Sequence, residues 1–144
     1  MLFQYLLVFI LLSYSSYTDM KERYVYSPFV TAALAVSVIM RLFTDGLNAG
    51  SILQGLGFLF FLMVINKLSG GGFGDGDVYV LVSLCFMLGM SHTIFIMLAG
   101  LMLTSLCGLC MLICGHGRIR ASLPFVPFLL GGYIIWLSML GIGP

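Results

Sequence analysis

Few side chains in this sequence are suited to acid–base or hydrolytic chemistry, and two aspartates stand out among them. Asp19 follows the first long apolar run, and Asp75 lies in a glycine-rich stretch directly before another apolar run. Like charges held close together push one pKa up and the other down, so a carboxylate pair shares one proton over a wide pH range. The ionised partner can take a proton from a water that attacks a peptide carbonyl, while the protonated partner polarises the carbonyl oxygen. Asp19 and Asp75 therefore suit aspartic proteolysis, which needs no metal and no cofactor.

The stretch around Asp75 has a backbone of an unusual kind. Five glycines occur among residues 70–76, and Gly72 and Gly74 flank Phe73 immediately before the acid. Glycine permits positive φ and the close approach of another chain. An irregular segment at membrane depth is tolerated only where it is buried in protein or lines a watery cavity. We therefore predict that Gly72 and Gly74 form an active-site loop, with Asp75 at the N-terminal end of the helix that follows.

The sequence lacks the motifs of other classes of hydrolase. It contains no H-E-x-x-H and no G-x-S-x-G, so neither a zinc protease nor a serine hydrolase is indicated. Cys107, Cys110 and Cys114 share one helix face, but thiols inside an apolar span behave as small hydrophobes, and no metal site is predicted. His92 and His116 are separated from acids and are interpreted as interfacial residues.

Composition determines the elements that must position the two acids. Of the 144 residues 61% are hydrophobic and only 8% are charged, and the mean hydropathy is +1.16. That leaves too little polar surface for a soluble globule, so the sequence predicts an all-α polytopic membrane protein in a single membrane-embedded domain over residues 1–144. A membrane crossing takes about 20 residues, and the apolar runs predict about six transmembrane helices. They lie near residues 2–17, 28–43, 51–66, 78–91, 93–114 and 124–142.

The loop charges predict how these helices are oriented. With six spans, the first, third and fifth loops share one face, which holds five of the six Lys and Arg residues. By the positive-inside rule that face is cytoplasmic and both termini lie outside. Two crossings separate Asp19 from Asp75, so both lie on the cytoplasmic face, whereas Asp45 lies on the opposite one. The net charge of +1 gives no indication of a nucleic-acid partner.

Three sequence motifs together resemble those of the type IV prepilin peptidases. That family has a G-x-G-D loop, read here as Gly72-Phe73-Gly74-Asp75, and an earlier D-x-x-x-x-x-I-P-N motif, which resembles D-M-K-E-R-Y-V-Y-S at residues 19–27. Residues 124–128 read P-F-V-P-F, which is similar to the family's P-F-x-P-F element. The resemblance implies an aspartic endopeptidase that cleaves the leader peptide of prepilin-like or pseudopilin-like proteins at the cytoplasmic face of a bacterial-type inner membrane. Asp19 and Asp75 would be its catalytic pair.

The sequence departs from this family at several positions. Tyr26 and Ser27 replace the usual Pro and Asn, and Asp77 stands where a Lys is common. The glycine spacing selects Asp75 over Asp77, so Asp77→Asn is predicted to keep substantial activity. Longer family members have an N-terminal region with a C-x-x-C zinc motif and also methylate the new N-terminus. The resemblance here is to a short form without that region, which leaves methylation open.

Two other functions fit the same residues. Intramembrane acids also mark ion routes, so a small ion-coupled transporter or channel with Asp19, Asp75 and Asp77 along its path is one alternative. A non-catalytic membrane subunit of a pilus or secretion assembly is the other. The expected partners are prepilin-like substrates and the lipid bilayer, and the oligomeric state is unknown.

Overall fold

The computed structural model describes residues 2–22, 27–45, 49–68, 74–114 and 124–141. Over these residues the chain is all-α, with six helices and no strand. The helices are α1 (Leu2–Glu22), α2 (Ser27–Asp45), α3 (Ala49–Leu68), α4 (Asp75–Leu88), α5 (Met90–Ile113) and α6 (Val126–Met139). Each corresponds to one of the six predicted apolar runs, which confirms the all-α prediction.

Helix α4 occupies the centre of the bundle. It packs against α1, α2, α3 and α5, and its residues 80–87 are all buried. A helix that is apolar all round must bury its whole circumference, and the sequence V-L-V-S-L-C-F-M at these positions has no charged side. Asp75 and Asp77, from the glycine-rich stretch, lie at the N-terminal end of this central helix.

Helix α6 is held against α5 by a close approach of two backbones. A Cβ added to Gly132 would lie 2.7 Å from the carbonyl oxygen of Ile96 and 3.0 Å from the backbone nitrogen of Gly100. Only glycine fits at such a contact. Helix α6 also packs along α1, so it connects the first helix of the chain to the fifth.

Helix α4 begins earlier than the sequence analysis predicts. Its apolar run starts at residue 78, but the helix starts at Asp75, with Gly74 as an extended N-cap at φ −63° and ψ 138°. Acidic residues in a first turn interact favourably with the helix dipole, which explains why the helix includes them. Asp75 and Asp77 are therefore the first and third residues of α4 and do not belong to an irregular loop.

The outer surface of the bundle is strongly apolar. Large hydrophobic side chains such as Phe43, Phe60 and Met102 are more than two-thirds exposed, at 86%, 73% and 70%. Helices α3 and α5 are long and apolar enough to cross a membrane by length and composition. Helix α4 has only 14 residues, which span about 21 Å against a hydrocarbon core of about 30 Å. Two spans are thus indicated directly, and the six-span topology stays a prediction.

Candidate active site

Asp19 lies near the C-terminal end of α1 on the face that packs into the bundle. Val8, Leu12 and Ser15 precede it at helical spacing, and all three are fully buried. Asp19 itself is only 9% exposed, although Lys21 two residues later projects outward over the ring of Tyr17 at 5.9 Å. Asp19 is therefore turned inward, although charged residues follow it directly in the sequence.

The carboxylate of Asp19 has a hydrogen-bond partner from the far end of the chain. Its Oδ2 atom accepts a hydrogen bond from the backbone N–H of Val126, the first residue of α6, at 3.3 Å. Helix N-termini favour negative charge, because their first N–H groups are free and the helix dipole is positive there. Burial raises the pKa of Asp19 above that of an ordinary aspartate, and the Val126 N–H opposes the rise.

Asp77 is fixed by the cap of its own helix. Its carboxylate accepts a hydrogen bond from the Gly74 N–H, while its own backbone N–H donates to the Gly74 carbonyl at 3.0 Å. The bond from the N-cap N–H to the acid at the third helical position is one of the two bonds of a capping box; the other is absent here because Gly74 has no side chain. The side chain is consequently held at the end of α4.

Asp19 and Asp77 interact electrostatically across the contact between α1 and α4. Burial raises the pKa of Asp77 to about 7, and the charge of Asp19 adds to that rise, while the bond from Gly74 opposes it. Both residues lie just outside the apolar runs 2–17 and 78–91, at the same end of their two helices. The charge of Asp19 thus acts on an acid 58 positions later in the chain (77 − 19), and the pKa of about 7 leaves Asp77 mostly protonated below neutral pH.

The structure describes the other predicted site residues only in part. Asp75 begins α4, but its side chain lies outside the part of the chain that the structure describes, as does Gly72. Gly74 is exposed and forms the N-cap of α4. The pairing of Asp19 with Asp75 therefore stays a prediction, whereas Asp77 is the acid whose pKa is raised by the charge of Asp19.

The sequence contains a signal for Asp77 that the motif analysis missed. Residues 72–75 read G-F-G-D, but the overlapping residues 74–77 read G-D-G-D and satisfy G-x-G-D equally well. The first register ends at Asp75, and the second register, two residues later, ends at Asp77. Residues two positions apart on a helix point to nearly opposite sides, so the two registers place their acids on different faces of α4, and the position of Asp19 distinguishes them.

The remaining candidates lie away from the two acids. His92, at the start of α5, packs its ring against Trp136 with centroids 5.0 Å apart, and it lines an open depression with Gln54 and Ser91. Since this depression also includes Leu88, it is at the opposite end of α4 from Asp77. Among the residues with described side chains, no three His, Cys, Asp or Glu are grouped as metal ligands.

Comparisons with known proteins point to one class, the peptidases that process leader sequences. The type IV leader peptidase family matches residues 6–113, which include both Asp19 and Asp77. Because the match covers well over half of the chain, the protein belongs to this family.

One curated relative is the prepilin leader peptidase/N-methyltransferase of Bacillus subtilis (strain 168). It is 31% identical over 108 residues, which are 75% of this chain and 41% of the relative. The chain therefore spans less than half the length of that protein. No solved structure matches the chain.

Proposed function

We propose that the protein is an aspartic endopeptidase that removes the leader peptide of prepilin-like proteins at the cytoplasmic face of a bacterial inner membrane. Family membership and the name of the Bacillus subtilis relative support the substrate class. The observation that carries the aspartic type is the electrostatic interaction between Asp19 and Asp77, two acids presented by different helices. Acid pairs with divergent proton affinities are the arrangement that aspartic proteolysis requires.

The proposed reaction needs one acid of the pair ionised and the other protonated. The ionised carboxylate accepts a proton from water as the water oxygen forms a bond to the carbonyl carbon of the substrate. The protonated carboxyl donates a hydrogen bond to the carbonyl oxygen, stabilising the tetrahedral intermediate. The C–N bond then breaks, and the leaving amine takes the proton that the base had received. Every atom of this cycle comes from water, peptide and the two acids.

The G-x-G-D motif and the structure favour different residues as the second acid of the pair. The glycine spacing selects Asp75 and predicts that Asp77→Asn keeps activity. We propose Asp77 as the second acid and expect the opposite, because its carboxylate accepts a hydrogen bond from the Gly74 N–H and its pKa is raised by the charge of Asp19. Asp75 then has the simpler role of an acidic residue in the first turn, which stabilises the helix N-terminus.

The proposed membrane placement is six spans with the acid pair towards the cytoplasm. It is supported by the concentration of Lys and Arg in the first, third and fifth loops and by the apolar outer surface of the helices. The 14 residues of α4 give a helix shorter than the hydrocarbon core. A helix of this length cannot reach both membrane surfaces, and since charges are costly inside the membrane, the end with the acids is expected close to the surface.

A set of matched Asp→Asn variants tests the proposal. The chain is co-expressed with an epitope-tagged prepilin-like substrate, and leader removal is followed by electrophoretic shift and mass spectrometry. We expect Asp19→Asn and Asp77→Asn to lose at least about 100-fold in rate, as for removal of a general acid or base. Asp75→Asn and Asp45→Asn are the matched controls and should retain cleavage.

Each other outcome has a definite meaning. Loss of cleavage in Asp75→Asn with retention in Asp77→Asn would restore the Asp19–Asp75 pair. A wild-type chain that is folded and inserted but cleaves no prepilin-like substrate would refute the peptidase proposal, and acid-dependent ion flux in liposomes would then identify the transporter alternative.

A further inference from the structure

The first turn of α6 offers its neighbours a single backbone donor, and that donor is used by Asp19. Among the first four residues of α6, Pro127 has no N–H, and the N–H groups of Phe128 and Leu129 both donate to the Phe125 carbonyl at 3.1 Å. The N–H of Val126 donates to Asp19 Oδ2 at 3.3 Å. A helix start normally leaves several donors free. Here the sequence and the turn geometry reduce them to one that faces the acid.

This donor is held in place by packing on both sides of α6. Val126 and Leu129 are 0% and 1% exposed, and Gly132 lies against the α5 backbone. One end of the α1–α6 contact is fastened by the bond from Tyr133 Oη to the Tyr5 carbonyl at 2.8 Å. The other end is the Val126–Asp19 bond. Since α6 is anchored independently of Asp19, its N-terminus is preorganised towards the carboxylate.

The charged and titratable groups around Asp19 determine how much the Val126 N–H matters for the ionisation of its carboxyl. From α4, Asp77 faces Asp19 and opposes a second negative charge. Helix α6 contains no Asp, Glu, Lys, Arg or His, and its one titratable group, Tyr133, is bonded to Tyr5. On α1 itself, the Lys21 ammonium lies over Tyr17. The positive end of α6 is thus the feature among the described residues that favours ionised Asp19 directly.

We propose that the first turn of α6 is a positioning element of the acid pair, in which the Val126 N–H holds Asp19 ionised and so makes Asp19 the base and Asp77 the acid. The division of roles rests on the proposed peptidase function, whereas the effect of Val126 on Asp19 does not. Val126 acts through Asp19 and does not itself react. It also lies beyond residues 6–113, the part of the chain that matches the family.

The direct test replaces one backbone amide by an ester. Incorporating the α-hydroxy analogue of valine at position 126 removes the N–H while keeping the side chain, and the same exchange with the leucine analogue at Leu129 is the matched control. The Leu129 ester loses a hydrogen bond to Phe125 but leaves Asp19 untouched. A simpler pair is Val126→Pro, which lacks the N–H, against Val126→Ala, which keeps it.

The expected result is a change in proton affinity and not merely a loss of rate. With the Val126 ester, the acid limb of the cleavage profile should move up by about one pH unit, since a charged hydrogen bond is lost. The Leu129 ester should leave that limb in place. Infrared spectroscopy of the protein with ¹³C-labelled aspartate, in an Asp77→Asn background, should show Asp19 protonating at correspondingly higher pH, without any need for activity.

Two results would overturn the inference. One is an unchanged Asp19 titration in the Val126 ester, and the other is a rate loss that is equal at all pH values and shared by the Leu129 ester, as for a purely structural contact. Failure of the wild-type protein to cleave would instead refute the peptidase function and the division of roles, while the titration would still decide whether Val126 holds Asp19 ionised.

Discussion

Replacing Asp77 by Asn should alter the pH dependence of stability in a direction fixed by the structure. In the fold the pKa of Asp77 is raised from 3.8 to about 7, chiefly by burial and further by the charge of Asp19. The folded state therefore binds more protons than the unfolded state between about pH 4 and 7. Stability contributed by protonated Asp77 is present below pH 4 and is lost as the pH rises through 7. Asn stays neutral throughout, so Asp77→Asn should remove this loss.

The size of the effect follows from the pKa difference. A change from 3.8 to about 7 is about 3 pH units, and at 1.36 kcal/mol per unit it corresponds to about 4 kcal/mol. Asp77 retains some exposure, and screening by solvent reduces the value. We therefore expect Asp77→Asn to be more stable than wild type by about 2–4 kcal/mol at pH 8 and nearly equal to it at pH 4.

The assay is unfolding in mixed micelles titrated with sodium dodecyl sulfate, at intervals from pH 4 to pH 8. Trp136 is the single tryptophan of the chain and is 5% exposed, so its fluorescence reports unfolding. Asp45→Asn is the control and should retain the wild-type slope, while Asp19→Asn should give a shallower one because one cause of the raised Asp77 pKa is gone. A wild-type stability that is flat or rises from pH 4 to 7 would refute the reasoning.

Four further substitutions test the packing of the helices. Gly132→Val should destabilise the fold by about 1–3 kcal/mol or more through overpacking, because its Cβ would lie 2.7 Å from a carbonyl oxygen of α5. In contrast, Gly57→Ala meets nothing within 4 Å and should stabilise α3 by about 0.5–1 kcal/mol, both changes being measured by the same unfolding titration. Tyr133→Phe removes the bond to the Tyr5 carbonyl and should cost about 1 kcal/mol; no loss would show that α6 is anchored without it. Ser15→Ala should be neutral or stabilising, since the buried Ser15 hydroxyl has no partner among the described residues, and a large loss of stability would contradict that assignment.

The sequence predicted the helices well because apolar runs and their breaks are local features. All six runs became helices, and the shift of the α4 start from residue 78 to Asp75 reflects the preference of acids for a first helical turn. The number of membrane crossings is a different matter, since a 14-residue helix such as α4 or α6 can be a short span or a buried helix, and length alone does not separate them.

The two acids differ in how far the sequence alone can place them. Asp19 was proposed together with a second acid expected on the same membrane face, and the structure shows that it is 9% exposed; its role in catalysis stays a prediction. The second acid depends on which side chain of α4 faces α1, and that rotation is set by packing around α4, not by the glycine spacing that selected Asp75. The bond from Val126 joins residues 107 positions apart and had no local signal at all.

The division of the site over three helices has a consequence for how the pair works. Asp77 is fixed by the cap of α4, whereas Asp19 is fixed by the start of α6, so the two carboxylates are held by separate backbones. On one rigid element the distance between two acids would be fixed. Here a small displacement of α1 or α6 against α4 changes the distance between the carboxylates and hence the proton affinity of the pair. If the protein is the proposed peptidase, any displacement of these helices on binding a substrate would change the proton affinity of the pair.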